Sequence, residues 1–215
     1  MQTLEEGHSL AQAVVWLAAR DESLAQIVNR YGLPPLWARQ PGFPTLVQII
    51  LEQQVSLASA QAAFERLCLA ISPLTPQGFL TLDDAQLKAI GFSRQKTVYG
   101  RELAQAILSG KLDLARVAGL DDEAARAELK QIKGVGDWTV DIYLLMALLR
   151  PDAFPQSDLA LLTAAQQAKK LPARPTPAEL TTMAEDWRPY RAVAARLLWH
   201  FYLAEKAAAR ADRKS

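Results

Sequence analysis

Cysteine is almost absent from this chain: Cys68 is the only one in 215 residues. A single thiol excludes an internal disulfide, a four-cysteine zinc site and a four-cysteine iron–sulfur cluster. Its neighbours Leu67, Leu69 and Ala70 are apolar, which predicts a buried structural thiol. Histidine is nearly as scarce. His8 and His200 are the only two, far apart and without a metal-ligand partner at a standard spacing. No apolar run is long enough to span a bilayer. The first nine residues carry Glu5 and Glu6 without a basic cluster, so they do not read as a signal peptide. The expectation is a protein without membrane association, cytoplasmic in a bacterium or nuclear in a eukaryote. A strong basic excess is missing too: 24 Lys and Arg face 23 Asp and Glu, for a net charge of +1. Composition therefore does not advertise nucleic-acid binding. Basic residues do outnumber acidic ones from Arg188 onward, which by itself reads as a solubilising tail on a helix end.

Strand signals are also lacking. There is no Asn-Gly or Asp-Gly turn and no period-2 run. What is present is helical patterning punctuated by prolines. Helices are predicted over residues 9–19, 22–31 (capped by Asp21), 45–52, from Ser56 or Ser59 to 69, from Asp83 to Gly91, and from Ser93 to about 109. Others start at Asp121 or Asp122, run over 137–149, start at Ser157 or Asp158, and run over about 189–209. The stretches around Pro34 to Pro44, Pro73 to Pro76, and Pro172 to Pro177 read as loops or connectors. The fold class is all-α, a compact multi-helix arrangement.

The most informative stretch is Leu129-Lys130-Gln131-Ile132-Lys133-Gly134-Val135-Gly136-Asp137-Trp138-Thr139-Val140. Two glycines flank one apolar residue between two helices. Glycine reaches positive φ and allows close backbone approach, and Val135 can tuck between the helices. The amides of the turn and of the following helix N-terminus then point outward, a site suited to phosphate. Gly-X-Gly between helices can equally be a hairpin that only turns the chain. Further on, Phe154-Pro155-Gln156-Ser157-Asp158-Leu159 places a carboxylate at a helix start, where the dipole favours its ionised form. In isolation Asp158 can be a simple N-cap.

Together these segments resemble the helix-hairpin-helix (HhH-GPD) DNA glycosylase superfamily, in which the hairpin is followed at about this distance by the catalytic aspartate. Three more segments carry the resemblance. Ile49-Ile50-Leu51-Glu52-Gln53-Gln54-Val55-Ser56 is similar to the family segment that fills the gap left in DNA. Ile90-Gly91-Phe92-Ser93-Arg94-Gln95-Lys96 is similar to the family's glycine turn and basic helix. Trp187-Arg188-Pro189-Tyr190-Arg191 through Trp199 resembles the C-terminal segment of the DNA-3-methyladenine glycosylase II (AlkA/Mag) branch. The match spans roughly Thr45 to Tyr202.

The resemblance implies one glycosylase unit in two helical lobes, 45–150 with the hairpin and 1–44 plus 151–215, with DNA and the base site in the cleft between them. It implies a hydrolase of base excision repair that extrudes an alkylated purine from damaged double-stranded DNA and cuts its N-glycosidic bond. Asp158 would be catalytic, stabilising positive charge on the sugar and positioning or activating water. Trp138, Trp199 and Tyr143 would line the base pocket. Gln53, Gln54, Gly134, Val135, Gly136, Arg94 and Lys96 would face DNA, with Gln54 as the wedge. Carbonyls of Lys130, Ile132 and Val135 would hold a structural monovalent or divalent cation. No catalytic metal or organic cofactor is implied, and the expected state is a monomer.

Departures from the family pattern sharpen these expectations. Relatives with lyase activity carry a Schiff-base lysine two positions after the second hairpin glycine. Trp138 stands there, which implies a monofunctional enzyme. An aromatic of the AlkA pocket falls at Ile142, with Tyr143 adjacent. A cationic alkylated purine leaves readily, so an electron-rich wall matters more than a strong general acid. Trp16, Trp37 and Trp187 are expected in the core. Arg188 and Arg191 could contact phosphate or pair with Glu185 and Asp186. Gly136→Ala is expected to disturb the turn and weaken binding to all DNA, and Gln54→Ala to weaken lesion capture. The alternatives are a non-catalytic DNA-binding module and a monofunctional glycosylase for mismatched or oxidised bases.

Overall fold

The computed structural model describes residues 3–4 and 8–212. Glu5 and Glu6, on which the signal-peptide argument drew, Arg213 and Lys214 of the basic tail, and Ser215 lie outside the described residues. Thirteen α-helices and one 3-10 turn are present among the described residues, without strands. No described helix is long and apolar enough to cross a membrane. The chain falls into two compact units, one from Arg39–Leu148 and one from Met1–Ala38 with Leu149–Ser215. These boundaries differ from the 44/45 and 150/151 read from the sequence. Arg39 is already committed to its unit, because its amide donates to the Met146 carbonyl at 2.8 Å and its guanidinium grips Glu52.

The Arg39–Leu148 unit is built on two helices, α3 (Phe43–Glu52) and α10 (Asp137–Met146). Phe43, Thr45, Leu46, Val47, Ile49, Ile50 and Leu51 are buried in α3, and residues 139–145 are buried without interruption in α10. A helix apolar on every side must lie inside. Against α3 pack α4 (Leu57–Ala70), α7 (Arg94–Leu108) and α10. The shorter α5 (Pro76–Thr81), α6 (Asp84–Ile90), α8 (Leu114–Gly119) and α9 (Asp122–Lys130) complete the unit. Ser93 caps α7, and Asp83 with Gln86 forms a reciprocal capping box on α6.

The other unit contains α1 (His8–Ala18), α2 (Glu22–Tyr31), α11 (Leu159–Ala168), α12 (Pro177–Ala184), the 3-10 turn Glu185–Trp187 and α13 (Arg191–Asp212). The spine is α13: residues 192–198 are fully buried, and α11, α2 and α1 pack on it. Its outer half, with Lys206 and Arg210, is exposed. Asp21 ties three elements together. It caps α2 by accepting from the Leu24 amide, and its second oxygen accepts from Lys169 Nζ at 2.6 Å and Trp187 Nε1 at 2.8 Å.

Three helices stand where the prolines or a missing signal suggested connectors: α5, α8 and α12. In α5 and α12 a threonine N-cap (Thr75, Thr176) precedes proline in the first turn. Proline there starts a helix, since its missing N–H would have had no helical partner. Asp113 caps α8. Cys68 is only half-buried, because it lies on the outer side of α4 between buried Leu67 and exposed Leu69; burial pushes its thiol up.

Candidate active site

The hairpin between α9 and α10 is closed by a bond from the Val135 amide to the Ile132 carbonyl at 3.0 Å. Val135 is buried, as a residue tucked between two helices should be. Gly134 adopts φ +89°, and a Cβ there would fall inside the Tyr99 ring. Glycine is therefore required twice over, by conformation and by contact. Gly136 is different. It is the N-cap of α10 with φ −94°, and a Cβ there meets nothing within 4 Å. The expectation that alanine at 136 breaks the turn is corrected: only position 134 carries that constraint. No side chain caps α10 at Gly136, which leaves its first-turn amides available to an anion. Asp137 beside them is neutralised by Lys130 Nζ at 2.7 Å and Arg126 at 3.7 Å.

Gln53 and Lys96, both read as DNA-facing, turn inward. Gln53 Nε2 donates to the Gly134 carbonyl and to the Thr139 hydroxyl, each at 2.9 Å. Lys96 Nζ donates to the Leu51 carbonyl at 2.7 Å, and burial lowers its pKa. The reasons differ: Lys96 supplies a donor to an α3 carbonyl, while Gln53 supplies one to the Gly134 carbonyl of the hairpin and to the Thr139 hydroxyl. The C-terminal turn of α3 leaves carbonyls without helical partners, and α7 lies within reach. Gln54, the next residue, is exposed with φ +57°, followed by exposed Val55 and Leu57. Arg94 is exposed in the first turn of α7. Tyr143 is also corrected. It has no exposed surface, its hydroxyl accepts from the Gly42 amide at 3.1 Å, and burial pushes the phenol up. A side chain so enclosed holds the core rather than a base. Trp138, in the first turn of α10, is half-buried.

In the other unit Asp158 is the N-cap of α11. Its Oδ1 accepts from the Leu161 amide at 3.0 Å and from Trp199 Nε1 at 3.1 Å. Asp158 is thus an N-cap, as its position in the sequence allowed, and capping is compatible with a catalytic role. Asp158 is half-buried, and Leu159 beside it is 65% exposed. Trp37, expected in the core, is half-exposed and meets Trp199 edge-on, with ring centroids 6.4 Å apart and planes at 74°. Sequence reading missed it because its segment is non-helical and proline-flanked, which leaves no periodicity to place a side chain. Trp187 is fully buried as expected, while Trp16 is half-buried with Arg20 stacked over its ring at 3.8 Å. Arg188 and Arg191 pair with Asp152 and Glu185, so the ion-pair alternative holds, with Asp152 in place of Asp186.

No group of three or more His, Cys, Asp or Glu side chains among the described residues could hold a metal ion. The hairpin carbonyls are a separate matter. The Ile132 oxygen accepts one bond, from Val135, and a carbonyl has a second lone pair for a cation.

Comparison with known proteins gives a consistent result. Residues 47–189 match the model of the HhH-GPD superfamily base excision DNA repair proteins. DNA-3-methyladenine glycosylase 1 of Schizosaccharomyces pombe is 30% identical over 199 residues, covering 89% of this chain and 87% of the relative. A solved structure of the S. pombe 3-methyladenine DNA glycosylase in complex with abasic DNA superimposes with a TM-score of 0.83 at 28% identity, covering 87% of this chain and 95% of that one. A Bacillus subtilis relative is 28% identical over 185 residues, and the chain spans 64% of its length.

Proposed function

The chain belongs to the HhH-GPD superfamily of base excision DNA repair proteins, and from that premise we propose that it hydrolyses the N-glycosidic bond of alkylated purines in duplex DNA. The observation that carries this reading is Asp158 itself. A carboxylate at a helix N-terminus accepts from the Leu161 amide and from the indole N–H of Trp199, whose ring in turn meets Trp37. Cleaving the glycosidic bond builds positive charge on the sugar, and a fixed carboxylate stabilises that charge without reorganising. The same oxygens can orient the attacking water. The half-buried position strengthens the interaction relative to open water.

The remaining residues supply binding. The uncapped first turn of α10 at Gly136 receives a backbone phosphate without sequence preference. Exposed Gln54 at the α3–α4 turn enters the gap left by the extruded nucleotide. Trp199 offers an electron-rich face to a cationic base, worth about 0.5–2 kcal/mol. Carbonyls of Lys130, Ile132 and Val135 would hold a structural cation, which would add positive charge toward the phosphate. Trp138 occupies the position of the lyase amine, so the enzyme is monofunctional and leaves an intact abasic strand. It acts as a monomer in the compartment that holds the DNA.

The test is base release from a panel of duplexes, each with one defined lesion. We expect release of 3-methyladenine or 7-methylguanine at rates far above the spontaneous ones. Binding of these duplexes with no base released from any would reduce the protein to a DNA-binding module. Release confined to mismatched or oxidised bases would move it to another substrate class.

A further inference from the structure

We propose that the buried Arg196 is a positioning residue that fixes Trp37 as a wall of the base site by clamping the Leu36–Trp37 peptide. The proposal rests on reading Asp158 as the catalytic carboxylate of that site. Trp37 adopts φ +49°, a left-handed conformation that a bulky residue rarely takes. Such a residue persists only where its surroundings over-determine it. Its segment lies between α2 and α3 and has no helical hydrogen bonds of its own to hold it.

The hold comes from α13. Arg196 is fully buried, and its Nε donates to the Leu36 carbonyl at 2.8 Å while Nη1 donates to the Ala192 carbonyl at 3.0 Å. The Leu36 carbonyl and the Trp37 amide share one planar peptide unit. Fixing that plane fixes one side of the bond about which φ of Trp37 turns. The same helix, three residues on, carries Trp199, whose indole nitrogen is bonded to Asp158. One turn of α13 therefore sets both the partner of the Asp158 carboxylate and the peptide that aims the second indole. A buried guanidinium is costly, and an apolar side chain of similar volume would often stabilise the core as well or better. Its placement is explained by what it holds.

The experiment compares Arg196→Met, Arg196→Lys, Trp37→Ala and the double variants Arg196→Met/Trp37→Ala and Arg196→Lys/Trp37→Ala in the full chain. Two quantities are read on folded protein. One is single-turnover release of 7-methylguanine from a duplex, with affinity for a duplex bearing a tetrahydrofuran abasic analogue alongside. The other is the fluorescence of Trp37, isolated by subtracting the matching Trp37→Phe protein. A misaimed wall costs rate more than binding, so Arg196→Met should lose about tenfold or more in release with near-normal abasic-duplex affinity. Its Trp37 signal should shift, and the loss should disappear in the Trp37→Ala background. An undiminished loss in that background, or an unchanged Trp37 signal with lost activity, overturns the proposal. If Arg196→Met does not fold, Arg196→Lys decides. Signal and release retained together, or lost together with the loss absent in the Trp37→Ala background, support the clamp; any other combination overturns it. If Trp37→Ala is fully active while Asp158→Asn is dead, the wall is wrong and the glycosylase reading stands. If Asp158→Asn is fully active, the reading of the site itself fails.

Discussion

The side-chain amide of Gln53 donates to the carbonyl of Gly134 at 2.9 Å, joining the end of α3 to the hairpin turn across 81 positions of sequence. The same nitrogen reaches the Thr139 hydroxyl in the first turns of α10. Gln54, which follows immediately, thus projects from a frame that also carries the hairpin turn.

Gln53→Ala should therefore lower stability by about 1–2 kcal/mol, because each neutral hydrogen bond contributes roughly 1 kcal/mol and two acceptors lose their donor. Urea unfolding measures this. A stability within experimental error of the unmodified chain would show that the frame does not depend on Gln53.

The two hairpin glycines should separate. Gly134→Ala meets both a positive φ and the Tyr99 ring, so it should cost about 1–3 kcal/mol or more. Gly136→Ala should unfold with the unmodified chain, since its φ is ordinary and its surroundings open. A weaker grip on undamaged duplex by the Gly136 variant then reports DNA contact directly. Equal destabilisation of both variants would contradict the assigned geometry.

Asp158→Asn should keep the fold, because asparagine caps a helix about as well as aspartate. Base release should fall by orders of magnitude, since the charge that stabilises the sugar cation is gone. Thermal unfolding and single-turnover release on the same preparation check both halves. Turnover close to that of the unmodified chain would remove Asp158 from the chemistry.

Product analysis should find an intact abasic strand. Trp138 offers no amine, so borohydride should trap no covalent protein–DNA adduct. A trapped adduct, or strand scission without alkali, would show that a lysine elsewhere enters the site.

Asp21 should make this chain acid-sensitive. Burial alone would raise its pKa, but hydrogen bonds from Lys169, Trp187 and the Leu24 amide outweigh it, and the carboxyl ends below its usual value of 3.8. A pKa depressed on folding contributes stability that is fully present above the unfolded value and is lost as pH falls through the folded one. Asp21→Asn should therefore destabilise the chain at neutral pH and flatten its stability profile below about pH 4. Parallel loss of stability in both proteins as pH drops would assign the acid sensitivity to other groups.

Much of this protein is local and so was legible in the chain. Caps announced themselves by type and position: Asp21, Asp83, Ser93, Asp121 and Asp158 each accept from the amide three residues on, which neighbouring sequence alone dictates. The Gly-Val-Gly turn and its distance from Asp158 were likewise matters of spacing along one chain. Tertiary structure decided what spacing cannot encode. Gln53 and Lys96 look like free polar side chains in sequence, and only the arrival of the hairpin and α7 beside the end of α3 turned them inward. Tyr143 is one residue from Ile142 in sequence, yet the packing of α3 against α10 gave its hydroxyl to Gly42 and closed it off. Trp37 has no periodicity around it. Its conformation is imposed by Arg196, 159 positions away, through a single carbonyl whose partner no local pattern could name.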